Sequence, residues 1–196
     1  VILVDANLLL YAKIADYPQH DAARSWLTTR LNDIPPVGMP WPCLLAFHRI
    51  ATSARLFERP MSPADSWAQI EAWLALPGVW CPAPTDRHRE ALGALIRSAS
   101  VQGNLTYDAH LAALALEHGL ILCSSDGDFA RFDGLRWENP IGAWRREQRI
   151  GLARNGAPAL TSSPVVPRGE LPVWSRSESE GEERPSLSAA PSETAK

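Results

Sequence analysis

Three carboxylates stand just behind two hydrophobic runs: Asp5 after Val1-Ile2-Leu3-Val4, and Asp126 and Asp128 after Leu120-Ile121-Leu122-Cys123. Such runs read as buried strands, and in an open α/β sheet reactive groups collect where parallel strands end, so acids distant in sequence meet in one cleft. A further acid, Asp108, lies in the first turn of a helix that leads into the second run. Two explanations serve Asp108. The helix dipole favours a negative charge there, but the residue also shares a face with Leu111, Ala112 and Ala115, where a carboxylate needs a partner. Several acids in one crevice repel one another and call for a divalent cation between them, which points to metal-assisted chemistry on phosphates.

The elements that must position these acids follow from apolar periodicity. Val1 to Val4 reads as a strand, Asn7 to Lys13 as a short helix and His20 to Leu31 as a longer one with Ala22, Ala23, Trp26, Leu27 and Arg30 at helical spacing. Pro35-Pro36 ends that region. Leu44 to Leu56, preceded by Pro40 and Pro42, presents a wide apolar face and predicts a helix. Ser62-Pro63 starts another, which Pro77-Gly78 closes. Val79 to Cys81 reads as a short strand, and Thr85 as the cap of a helix running to Ile96. Asn104 or Thr106 caps the helix bearing Asp108, which Gly119 terminates.

Length and composition set the frame. With 196 residues, 45% of them hydrophobic, the chain buries one sizeable core. From about residue 151 Ser, Pro, Glu and Gly dominate, and a segment such as residues 175–183 lacks the apolar surface to offset the entropy of ordering. The sequence therefore predicts a folded domain over residues 1–147 and a disordered Ser/Pro/Glu-rich tail over 148–196. The net charge of −3 gives no global basic field, so contact with nucleic acid would rely on local patches such as Arg145, Arg146 and Arg149. From residue 151 on the chain holds five of the 19 basic and six of the 22 acidic residues, so removing that part reveals no basic domain. Cys43, Cys81 and Cys123 form neither a disulfide framework nor a zinc motif, which fits a reducing cytoplasm. No apolar stretch approaches the roughly 20 residues that span a bilayer, and no secretory signal stands at the amino end. We expect a cytoplasmic protein with no membrane partner.

Four segments, in order and approximate spacing, carry a resemblance. They are Val-Asp-Ala-Asn-Leu-Leu-Leu-Tyr-Ala from Val4, Ala-Phe-His-Arg-Ile-Ala-Thr from Ala46, Tyr-Asp-Ala-His-Leu-Ala-Ala-Leu-Ala from Tyr107, and Ser-Ser-Asp-Gly-Asp-Phe-Ala-Arg-Phe from Ser124. Over residues 1–142 the chain resembles the PIN-domain ribonucleases, in particular the VapC toxins of bacterial toxin–antitoxin pairs. The resemblance implies an α/β PIN-like fold with a small, mostly parallel sheet flanked by helices. It implies an endoribonuclease that uses Mg²⁺ or Mn²⁺, a VapB-like antitoxin partner and a homodimer. Position by position, Asp5 and Asp108 match the principal metal-binding acids and Asp126 the acid of the later motif. Asp128 matches an often acidic position and either binds metal through water or caps the next turn. Asn7 and Ser124 match polar positions that orient an acid or a bound water.

One departure stands out: Ala46 occupies the place where most PIN nucleases carry a glutamate. Glu58, over three helical turns further on, cannot substitute for it. Metal-assisted water attack on a phosphodiester leaves a 5′-phosphate and a 3′-hydroxyl and requires no histidine, so His48, His88 and His110 are expected to be structural or RNA-contacting. Trp26, Trp67 and Trp73 fall on helical stripes where packing or a dimer interface is the ordinary explanation, and Trp41 and Trp80 near turns or strands. Two other readings stay open. A haloacid-dehalogenase-like phosphatase also places an aspartate after its first strand, although Asn7 stands where its second aspartate belongs. A degenerate PIN module that binds RNA or protein without cleavage is consistent with Ala46.

Overall fold

The computed structural model describes residues 1–142. The expected basic patch at Arg145, Arg146 and Arg149 and the expected tail lie outside the described residues. Five strands form one sheet in the order β3-β2-β1-β4-β5: β1 (Ile2–Val4), β2 (Val37–Gly38), β3 (Val79–Trp80), β4 (Ile121–Cys123) and β5 (Trp137–Glu138). Every pairing is parallel, with Ile2, Leu3 and Val4 of β1 opposite Ile121, Leu122 and Cys123 of β4. Parallel neighbours require crossover connections, and six helices supply most of them. These are α1 (Ala6–Lys13), α2 (His20–Asn32), α3 (Trp41–Ala51), α4 (Pro63–Leu74), α5 (His88–Ser98) and α6 (Leu105–Glu117).

The two hydrophobic runs are thus adjacent central strands, with Leu3, Val4 and Leu122 wholly inaccessible to solvent. Both faces of a parallel sheet are covered, which is why its strands read as continuous apolar runs rather than alternating ones. Leu8, Leu9 and Leu10 of α1 and Leu44 and Phe47 of α3 pack into the same core. Helix α6 is buried from Leu111 through Ala115, and Gly119 adopts a φ of +66° at its end, so the chain turns directly into β4.

Some boundaries differ from expectation, each for a local reason. Helix α3 begins at Trp41 because Pro42 fits within the first helical turn, where its missing N–H leaves nothing unpaired. It ends at Ala51, so Glu58 is not on this helix at all; it lies beside a cavity of about 450 Å³ with Lys13, Asp16 and Arg59. Thr85 stands before α5 rather than at its cap: its hydroxyl accepts the Arg87 amide at 3.2 Å, and the helix starts at His88. Strands β2 and β5 are not expected from the sequence because, unlike Val79-Trp80-Cys81, Val37–Gly38 and Trp137–Glu138 are each broken by a glycine or a charged residue.

Candidate active site at the carboxyl edge of the sheet

Asp5 is the first residue beyond β1, and its amide donates to the Cys123 carbonyl at 3.0 Å, tying that strand end to β4. It then caps α1. Its Oδ1 accepts the Ala6 amide, while Oδ2 accepts Asn7 Nδ2 at 2.8 Å and Ser124 Oγ at 2.7 Å. Ser124 is fully buried, and its one hydroxyl serves three partners: it donates to Asp5 and accepts from Asn7 Nδ2 at 2.8 Å and the Asp126 amide at 3.0 Å. One hydrogen and two lone pairs are all a hydroxyl has, so the network is saturated. The peptide of Ser124 is held as firmly, with its amide donating to Glu138 and its carbonyl accepting Trp137 Nε1 at 3.2 Å. Strand β5 thereby fixes the loop that follows β4.

That loop turns at once. Asp126 caps the 3-10 turn Gly127–Arg131, its Oδ1 accepting the Asp128 amide at 2.9 Å. The capping role considered for Asp128 therefore belongs to Asp126. Asp128 instead accepts Arg131 Nη2 at 3.1 Å.

Asp108 enters from α6, half-buried, and no hydrogen-bond donor among the described residues reaches its carboxylate. Loss of water pushes its carboxyl up to about 7, with the negative charges of Asp5, Asp126 and Asp128 pushing in the same direction and Arg131 opposing them. Burial likewise pushes Asp5 up to about 6, against the pull of the Ser124 hydroxyl and the Ala6 amide and helped by repulsion from Asp126. The acids expected to meet are thus close enough to feel one another. Among the described residues, however, no three His, Cys, Asp or Glu side chains form a ready-made metal cage.

Helix α3 contributes no acid. Ala46 is half-buried, and one turn before it the buried Cys43 thiol comes within 4.0 Å of Asp5 Oδ1. Burial and then the Asp5 charge push that thiol well above its usual range, so it meets the carboxylate as a neutral, weak donor. Nothing in the sequence marks Cys43 as a neighbour of Asp5. The histidines take structural partners: His48 pairs with Ser66 Oγ at 3.1 Å, and His88 bridges Glu117 at 2.7 Å and His110 at 2.9 Å, clamping α5 to α6. Trp73 is buried against Phe47 with ring centroids 4.9 Å apart, whereas Trp41 and Trp67 stack in the open, more than two-fifths exposed.

A parallel sheet with acids at the ends of its central strands defines a class, and comparison with known proteins places the chain within it. The PIN domain family matches residues 2–135, and the chain belongs to that family. It is 42% identical over 138 residues to Ribonuclease VapC37 of Mycobacterium tuberculosis, a match covering 70% of this chain and 96% of the relative. Ribonuclease VapC33 of the same species is 39% identical over 141 residues, covering 72% and 99%. Among solved structures, FitAcB from Neisseria gonorrhoeae superposes with a TM-score of 0.53 at 17% identity, covering 72% of this chain and 99% of that one. Mycobacterium tuberculosis VapC20, described as a Sarcin-Ricin loop cleaving toxin, gives 0.51 at 20% identity, covering 69% and 99%. These two share the fold.

Proposed function

We propose that this protein is a divalent-metal-dependent endoribonuclease, the toxin of a VapBC-type toxin–antitoxin pair, with Asp5, Asp108 and Asp126 as its metal-holding acids. The observation that carries the reading is the pairing of a rigid acid with an unsatisfied one. Asp5 is locked by the Ala6 amide, Asn7 and Ser124, while Asp108 faces the same negative neighbourhood with no hydrogen bond from the described residues to stabilise its charge. Relatives about 40% identical that bear the name ribonuclease support the activity.

The donor set suits the metal. Every candidate ligand is a carboxylate oxygen, the ligand type of hard cations such as Mg²⁺ and Mn²⁺, and Mg²⁺ keeps several waters and needs only one or two direct carboxylates, so a closed cage is not required. When bound, such a cation offsets charge on a phosphodiester and acidifies an attacking water. The chain supplies the rest: Asn7 and Ser124 hold the Asp5 carboxylate in one orientation, and the Asp126 cap fixes the loop beside it.

RNA is the substrate in this reading, and a VapB-like antitoxin and a second copy of the chain are its protein partners. Trp41, Leu45 and Trp67 expose an apolar face across α3 and α4 that supports a protein partner there. No helix among the described residues is long and apolar enough to cross a membrane; a cytoplasmic location belongs to the proposal. So does a nuclease domain over residues 1–147, which the family match to residue 135 supports.

The phosphatase alternative gives way to the family assignment. The binding-only module retains one observation in its favour, the lack of any acid on α3. Incubating the purified protein with RNA in Mg²⁺ or Mn²⁺ separates the two: we expect 5′-phosphorylated fragments that vanish in EDTA and in Asp5→Asn. Intact RNA that stays bound in both metals supports the module instead.

A further inference from the structure

We propose that Arg131 binds a phosphate of the RNA beside the scissile bond and that Asp128 is its resting partner rather than a metal ligand. This rests on the nuclease reading and deepens it. The 3-10 turn capped by Asp126 brings Arg131 back over the residues that open it, so that Nη2 donates to Asp128 Oδ1 at 3.1 Å. From there its positive charge also reaches Asp108, opposing the neighbouring carboxylates.

The chemistry of the mouth favours this role. Asp5, Asp108, Asp126 and Asp128 confront any approaching polyanion with like charge, and a single divalent cation offsets only part of it. A guanidinium presents a planar fork that matches two phosphate oxygens. The side chain is available, 45% exposed and so as open as Arg30 in the surface pair Arg30–Asp33, with Asp128 at 27%. An ion pair this open is worth little, so a phosphate displaces the carboxylate readily. The metal role expected of Asp128 opposes its pairing with Arg131, because a cation bound to it would sit against the guanidinium.

The test uses the full chain and a fluorescein-labelled single-stranded RNA of mixed sequence, with anisotropy read in EDTA over a salt series so that no cleavage intervenes. Arg131→Ala should weaken binding about 5- to 10-fold and flatten the slope of log affinity against log salt by about 0.7, with Arg131→Lys intermediate. In parallel, Asp128→Asn should keep the Mg²⁺-induced rise in Tm that Asp108→Asn loses. Wild-type affinity and slope in Arg131→Ala overturn the phosphate role, and loss of the Mg²⁺ effect in Asp128→Asn overturns the resting-partner role. Failure of the underlying nuclease reading shows elsewhere, as RNA that wild type leaves intact in both Mg²⁺ and Mn²⁺.

Discussion

The Asp5 and Asp108 carboxyls are both raised, by burial first of all. Asp108 has a folded-state carboxyl near 7, above its unfolded value of about 4, so its stabilising contribution is complete below about pH 4 and is lost as pH rises through 7. Asp108→Asn removes a charge the metal-free fold disfavours. We expect it to raise the metal-free Tm at pH 8 by about 2–4 °C, about 1 kcal/mol after allowance for solvent screening, and to leave it unchanged near pH 4. A metal-free Tm at pH 8 that falls in this variant contradicts that view of the site. Ser124→Ala goes the other way. It leaves the Asp126 amide without its acceptor, reduces the Asn7 side-chain amide to its bond with Asp5 and deprives Asp5 of a donor, at about 1–3 kcal/mol, measurable by urea unfolding.

At the scale of elements, the site depends on how closely the short strands approach one another. A Cβ on Gly38 of β2 would stand 2.9 Å from Pro82 Cγ and 3.2 Å from the Ile2 carbonyl on the neighbouring strand. Gly38→Ala should therefore destabilise the sheet by about 1–3 kcal/mol, and an unchanged denaturation midpoint would show that β1 and β2 have more room than described. Helix α3 offers the complementary test. Ala46→Glu restores an acid to the helix whose Cys43 touches Asp5, and we expect tighter Mn²⁺ binding by calorimetry with a lower metal-free Tm. Unaltered Mn²⁺ affinity would place residue 46 outside the site. These elements also show what the sequence makes legible. Acids behind two long apolar runs announce themselves, and Asp108 gives its face away through Leu111, Ala112 and Ala115. Strands β2 and β5 do not, because Val37–Gly38 and Trp137–Glu138 lack the uninterrupted apolar run that marks Val79-Trp80-Cys81, and only their neighbours define them as strands. Cys43 and Arg131 were illegible as site residues for a related reason: a thiol among core residues and an arginine in a turn acquire their meaning only from what the fold sets beside them.

For the whole molecule, the relatives are covered almost end to end by about 140 residues of this chain. A chain ended after residue 147 should therefore fold with an unchanged Tm and retain metal-dependent cleavage, and loss of either would assign the remaining residues a part in the nuclease. The account as a whole stands on acids from β1, α6 and the loop after β4 acting together on one cation. The most direct measurement is RNA cleavage by wild type and Asp108→Asn, each with Mg²⁺ and with EDTA. We predict fragments only for wild type with Mg²⁺, with the variant reduced by at least about 100-fold, on the order of the loss when a group that stabilises developing charge is removed. Cleavage by the variant at the wild-type rate, or by wild type in EDTA, would contradict it.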